Sequence, residues 1–220
     1  MARIAIFGAN GAIGHRIVSE ALDRGHDVAA VVRDPGSITR THRGLTVLTG
    51  DVLDPASVSA VAGGRDVLIS AVGGGDGPGH EALIGPSARS LVAGLHALGA
   101  AAPRLIMVGG AGSLRTPDGS RVLDAPGLPD EVRQIMHAHS DALEYLRCEA
   151  GELRWTSLSP AAVIEPGRRT GAYRTGLDEL VTDAEGVSRI STEDYAAALV
   201  DEVEDARHIG ERFTVGYERS

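Results

Sequence analysis

Three glycines constrain this chain more than anything else in it. Gly8, Gly11 and Gly14 punctuate Phe7-Gly8-Ala9-Asn10-Gly11-Ala12-Ile13-Gly14, directly behind the apolar run Ile4-Ala5-Ile6-Phe7. A strand feeds a turn, and a helical pattern follows from Ala12 to Leu22. This is the layout of a βαβ unit that cradles a dinucleotide. Gly8 permits a tight turn at the strand end, Gly11 a close backbone approach to a pyrophosphate, and Gly14 close packing of helix on strand. Ala12 and Ile13 open the helix, whose free N–H groups and positive dipole end suit phosphates. Among 29 glycines in 220 residues the spacing alone carries little; the strand before it and the helix after it supply the weight.

The alternation continues along the chain. Strand-like apolar runs fall at 4–7, 27–32, 45–48, 66–71, 104–108 and 155–158. Helical stretches lie between them at 12–24, 55–62, 80–98 and 130–149. Strands and helices at this pace pair in parallel through right-handed crossovers. The expected fold is α/β, a doubly wound parallel sheet of the Rossmann type. Residues 1–220 are expected to form a single NAD(P)-binding domain with a small substrate-side portion over about 160–220. Within that portion Ser191-Thr192-Glu193-Asp194 reads as a helix start, with Ser191 or Thr192 as N-cap and a run to about 203. Residues 212–215 read as a late strand.

Aromatic residues are only 3% of the chain, so the core has to come from Ala, Val, Leu and Ile, as in buried parallel strands. The net charge of −9 argues against nucleic acid as a partner, since that needs a basic face. Cys148 is the only cysteine, so no internal disulfide forms. No basic leader with an apolar run and no span of ~20 apolar residues is present, which argues against a membrane partner. A cytoplasmic protein acting on a small-molecule substrate, as monomer or homodimer, is expected.

Several residues then read as chemistry. The second strand ends Val31-Val32-Arg33-Asp34. A site selecting NAD(H) places an acidic side chain at this tip to accept from the ribose hydroxyls. Val32 stands there instead and Arg33 follows, a guanidinium suited to a 2′-phosphate, with Asn10 as an added donor. NADP(H) is therefore expected over NAD(H); the alternative is an ordinary surface arginine beside Asp34. After the third strand, Asp51 is placed at the adenine amino edge with Val52 packed on the ring, or else caps the helix near Pro55. Ala71, Val72 and Gly73 after the fourth strand let the backbone lie against the ribose and nicotinamide side. Val108 and Gly109 end the fifth strand, and Ser113 follows as a candidate donor to a substrate carbonyl, or a loop serine. Pro160 and Ala161, after the sixth strand, are placed at the carboxamide end. The loops at 74–80, 112–130 and 165–185 are expected to shape the substrate pocket.

One absence also counts. Short-chain dehydrogenases that reduce carbonyls use Tyr-x-x-x-Lys on the helix after the fifth strand, the lysine lowering the tyrosine pKa. Here Tyr145 is followed by Leu146, Arg147, Cys148 and Glu149, and the helix holds no lysine. His137 and His139 sit near that position. A spacing of two puts them on different helix faces, which argues against a shared zinc. His139 is a candidate proton donor or polar contact, or else a helix-surface histidine.

The glycine spacing is GxxGxxG, which resembles the short-chain dehydrogenase/reductase superfamily. Over nearly its whole length the chain is similar to the NADH-flavin-reductase-like branch of the atypical members. The resemblance is carried by Gly8-Ala9-Asn10-Gly11, Gly50-Asp51-Val52-Leu53-Asp54, Val108-Gly109-Gly110-Ala111-Gly112-Ser113-Leu114 and Ser159-Pro160-Ala161. Two further stretches are specific to the branch: Glu165-Pro166-Gly167-Arg168-Arg169-Thr170-Gly171, and 188–196 from Ser188 to Ala196. A more distant resemblance is to biliverdin-IXβ/flavin reductase, which also lacks the Tyr–Lys pair and carries a serine after the fifth strand. The resemblance implies NAD(P)H binding, and beyond it an NADPH-dependent reductase of a flavin, quinone or other conjugated or carbonyl acceptor. The competing expectations are a non-catalytic NADP(H) sensor of the NmrA-like kind and an isomerase or dehydratase that recycles its NADP.

Overall fold

The computed structural model describes residues 1–218. Its main sheet is built from β1 (Arg3–Phe7), β2 (Asp27–Val32), β3 (Leu45–Thr49), β4 (Val67–Ser70), β5 (Arg104–Val108) and β6 (Trp155–Ser159). The helices between them are α1 (Gly14–Asp23), α2 (Pro55–Ala62), α3 (Gly77–His96) and α4 (Asp130–Glu149). Three strands of three residues follow: β7 (Val163–Glu165), β8 (Arg174–Gly176) and β9 (Arg189–Ser191). α5 (Thr192–Glu204) and β10 (Glu211–Gly216) complete the order. The strands lie in the order β3-β2-β1-β4-β5-β6-β10-β8, parallel except for β8, and β7 pairs with β9 in a separate ribbon. The fold is thus a mostly parallel Rossmann sheet.

Successive side chains point to opposite faces, so each strand feeds two cores. Ile4 and Ile6 pack with Ile17, Leu199 and Phe213 under α1 and α5. Ala5 and Phe7 pack with Val58, Leu91 and Leu143 under α2, α3 and α4. Coverage on both faces explains why the strands read as continuous apolar runs. Tyr195 is fully buried among them, and its hydroxyl donates to the Leu158 carbonyl at 2.6 Å.

Several boundaries differ from expectation, each for a local reason. Residues 9–13 form a turn before α1, so the helix does not begin at 12. α3 starts at Gly77 rather than 80, because Asp76 caps it, its carboxylate accepting from Gly79 N at 2.6 Å. The start of α5, by contrast, falls where the sequence placed it, capped by Ser191, whose Oγ accepts from Asp194 N. The short strands β7 to β9 were not anticipated. From 160 onward, β8 and β10 extend the main sheet.

The two branch-specific stretches are tied to each other. The buried Asp194 carboxylate accepts from Thr170 N, Thr170 Oγ1, Gly171 N and the Tyr217 hydroxyl, at 2.6–2.8 Å. Glu193 accepts from Arg16 Nε at 2.6 Å and Gly167 N at 2.8 Å. Arg169 reaches Glu20 on α1. The loop after β7 is thereby clasped onto α1 and α5. Among the described residues, no helix is long and apolar enough to cross a membrane, and no cluster has the makings of a metal site.

Candidate functional site

Strand order reverses direction between β1 and β4, and ligands of doubly wound sheets bind beyond the carboxyl ends at such a point. A groove of about 190 Å3 opens there. It is lined by Gly8, Asn10, Gly11, Arg33, Asp51, Val52, Ala71, Val72 and Gly73, joined by Leu53 and Leu83. Backbone forms its floor. Gly8 has φ +75°, and a Cβ on it would stand 2.5 Å from the Ala71 carbonyl oxygen. A Cβ on Gly14 would stand 2.0 Å from the Gly8 oxygen. The Gly11 amide closes the turn onto that same oxygen at 3.0 Å. Strand end, turn and helix therefore touch with no side chain between them.

The start of α1 is left uncapped by any side chain. The amides of Ala12, Ile13 and Gly14 have no acceptor among the described residues. Three free donors at the positive end of a helix, above an open glycine floor, fit a pyrophosphate. Ala12 is exposed, while Ile13 packs its side chain on the core.

Arg33 is exposed at the end of β2 and makes no ion pair or hydrogen bond within the described residues. Nearby, Asn10 Nδ2 donates to Ser37 Oγ at 3.1 Å, and Ser37 Oγ donates to the Asp34 carbonyl at 2.6 Å. Asp34 spends its carboxylate on the Gly36 amide. The strand tip thus offers a guanidinium and an amide, while the Ser37 hydroxyl has already spent its proton on Asp34. Across the groove, Asp51 Oδ1 accepts from Leu53 N at 2.9 Å. The reading of Asp51 as the cap of α2 is corrected: Asp54 holds that place, accepting from Ala56 N. Val52 is buried in the core at 8% exposure, whereas Leu53 stands 46% exposed beside the groove.

The edge continues at β5 and β6. Val108 is buried, and the Gly109 amide donates to the Leu158 carbonyl at 2.8 Å. Pro160 and Ala161 are buried where β6 ends. None of these four lines the groove itself. Beside them, His139 of α4 packs on Gly110, where an added Cβ would stand 2.8 Å from the His139 Cβ. His80 of α3 faces it with ring centroids 5.6 Å apart. Burial, helped by the neighbouring His80, pushes the His139 imidazole down to about 4, so it is neutral at pH 7. His80 escaped the sequence reading, because nothing in linear spacing links it to His139.

Ser113 and His139 make no hydrogen bond to each other. Arg212 Nη1 donates to Ser113 Oγ at 3.3 Å, while Arg212 Nε holds Asp178. Ser113 lines a separate cavity of about 300 Å3 with Arg115, His137, Asp141 and Arg212, and His139 is not part of its wall. Among the loops expected to shape a pocket, residues 165–172 are engaged by the clasp on α5.

Fold and groove define a nicotinamide-dinucleotide-binding protein of the atypical short-chain dehydrogenase/reductase class. The profile of the NAD(P)H-binding family matches residues 8–206. The chain is 37% identical to the uncharacterized protein YwnB of Bacillus subtilis (strain 168) over 216 residues, 97% of each chain. Among solved structures it is similar to a candidate epimerase from Bacteroides thetaiotaomicron, at 37% identity and TM-score 0.90, covering 100% of this chain and 99% of that one. It is also similar to a candidate NADH-flavin reductase from Streptococcus pneumoniae TIGR4, at 32% identity and TM-score 0.84, covering 98% and 99%. The chain belongs to the NAD(P)H-binding family.

Proposed function

We propose that this protein is an NADPH-dependent reductase whose acceptor is a flavin, a quinone or another small conjugated or carbonyl compound. The observation that carries the reading is the make-up of the edge beyond β4 and β5. It holds His139, neutral at pH 7, and no Tyr–Lys pair. Such an edge orients an acceptor without delivering a strong acid, which flavins and quinones do not require. The similarity to a candidate NADH-flavin reductase supports the same reading.

The residues that would hold the cofactor follow from the groove. The Ala12, Ile13 and Gly14 amides would hold the pyrophosphate, and Arg33 with Asn10 would hold the 2′-phosphate, which favours NADP(H) over NAD(H). Asp51, Val52 and Leu53 face the adenine, Ala71 to Gly73 the ribose, and the Pro160–Ala161 backbone the carboxamide. Bound there, the dihydronicotinamide ring supplies a hydride. The protein positions the two rings and keeps His139 as a neutral hydrogen-bonding group; the balancing proton reaches the acceptor from solvent. Ser113, in its own cavity, is assigned to the substrate side as a secondary contact. The reading places the protein in the cytoplasm as a monomer or homodimer, with no nucleic acid or membrane partner.

The similarity to a candidate epimerase favours a second reading, an isomerase that recycles NADP. Anaerobic NADPH consumption with a panel of flavins, quinones and enones separates the two. Net oxidation with one of them supports the reductase. A full panel without net oxidation overturns it, and leaves the recycling enzyme or the NmrA-like sensor.

A further inference from the structure

α3 follows β4 and α4 follows β5, so each helix carries one imidazole to the loop after its own strand. His80 lies beside Gly73, with Nε2 3.4 Å from where a Cβ would stand, and His139 lies against Gly110. Both are half-buried. The rings are 5.6 Å apart at their centroids, inclined by 57°, and no hydrogen bond joins them. His80 Nδ1 is 2.7 Å from the Asp76 carbonyl oxygen. A carbonyl only accepts, so Nδ1 carries the proton, and Nε2 of the neutral ring is a bare acceptor. His139 spends neither ring nitrogen on the described residues, and a neutral imidazole has one donor and one acceptor to offer. Those nitrogens, without a protein partner among the described residues, are open to a ligand. Among the described residues His80 is the titratable group that acts on His139.

We propose that His80 and His139 grip the hydride acceptor by an edge bearing one N–H beside one C=O, the imide edge of an isoalloxazine. His80 Nε2 accepts from the N–H, and the His139 N–H donates to the carbonyl. The assignment rests on the reductase reading and narrows its acceptor to the flavin class over quinones, which lack the N–H. The carboxamide of the cofactor has the same donor–acceptor chemistry, and the test separates the two.

Lumiflavin and N3-methyl-lumiflavin are titrated by fluorescence quenching in the presence of NADP+, and NADP+ itself by calorimetry. Wild type should bind lumiflavin about two- to tenfold more tightly than the methylated form, the effect of one neutral hydrogen bond. His80→Ala should erase that preference, His80→Gln, with its amide oxygen as acceptor, should restore part of it, and His139→Ala should weaken both flavins. NADP+ affinity should change by less than about twofold. Equal binding of the two flavins by wild type overturns the assignment, as does a preference that survives in His80→Ala. A parallel loss of NADP+ affinity in the variants puts the cofactor carboxamide against the pair and overturns it too. Lumiflavin that binds with the expected preference but is not reduced by NADPH removes the reductase reading and leaves the binding site standing.

Discussion

Arg33 ends β2 where a protein selecting NAD(H) would present a carboxylate. Among the described residues its guanidinium has no partner, and it lines the groove together with Asn10. A charge-assisted bond contributes ~1.5–3 kcal/mol, so Arg33→Ala should weaken NADPH binding about tenfold to a hundredfold. NADH binding should barely change, and calorimetry with both cofactors reads the difference; equal losses would make Arg33 structural. Gly11 differs from its two partners. A Cβ on it meets the Gly8 oxygen at 3.2 Å, against 2.5 and 2.0 Å for the nearest atoms to Gly8 and Gly14. The turn can almost admit that carbon, but the branches of valine would enter the groove. Gly11→Val should keep the fold by circular dichroism and abolish NADPH binding. These residues were legible in sequence because each sits at a fixed offset from a strand end. The His80–His139 pair was not, because its members stand 59 positions apart and only the packing of α3 on α4 joins them.

At the scale of elements, the long strands and helices announced themselves through apolar runs and caps. β7, β8 and β9 did not, because three residues are too few for a period-two pattern. The branch-specific stretches were visible as a resemblance, but their purpose is a matter of contacts. Asp194 gathers two amides and two hydroxyls from 170–171 and 217, and Glu193 gathers Arg16 and Gly167. The result is a clasp between α1, α5 and the loop after β7. Asp194→Ala would remove the acceptor shared by the Thr170 and Gly171 amides and the Thr170 hydroxyl, while the Tyr217 hydroxyl keeps Ser191 Oγ, at a cost of about 1.5–3 kcal/mol. For a chain of this size that corresponds to a fall of roughly 3–12 °C in Tm. Hydrogen exchange should rise first in residues 165–172. An unchanged Tm would show that water replaces the carboxylate at no cost.

For the whole molecule, the clasp and the imidazole pair write two separate windows into the dependence of stability on pH. His139 is held near 4, first by burial and then by His80, while a free imidazole titrates near 6.5. As pH falls below about 6.5 the unfolded chain takes up a proton that the native chain refuses. The stability tied to neutral His139 is therefore complete above about 6.5 and drains away toward 4. Glu193 acts lower. Burial alone would raise its pKa, but Arg16 and the Gly167 amide hold it at about 2. The unfolded carboxylate protonates near ~4.3, so the contribution of Glu193 is present above that value and is lost as pH falls from there toward 2. Tm should thus decline gently from about pH 6.5 and more steeply below about 4.5. His139→Phe should flatten the upper limb and leave the lower one, whereas Glu193→Gln should reduce the slope of the lower limb, where Glu20, Asp118 and Asp194 are also held below the usual carboxylate range, and leave the upper one. Scanning calorimetry of wild type and both variants across pH 3 to 8 reads this directly. A wild-type slope above pH 4.5 that persists in His139→Phe would place the upper window on another group, and would remove the buried neutral imidazole from the account of the site.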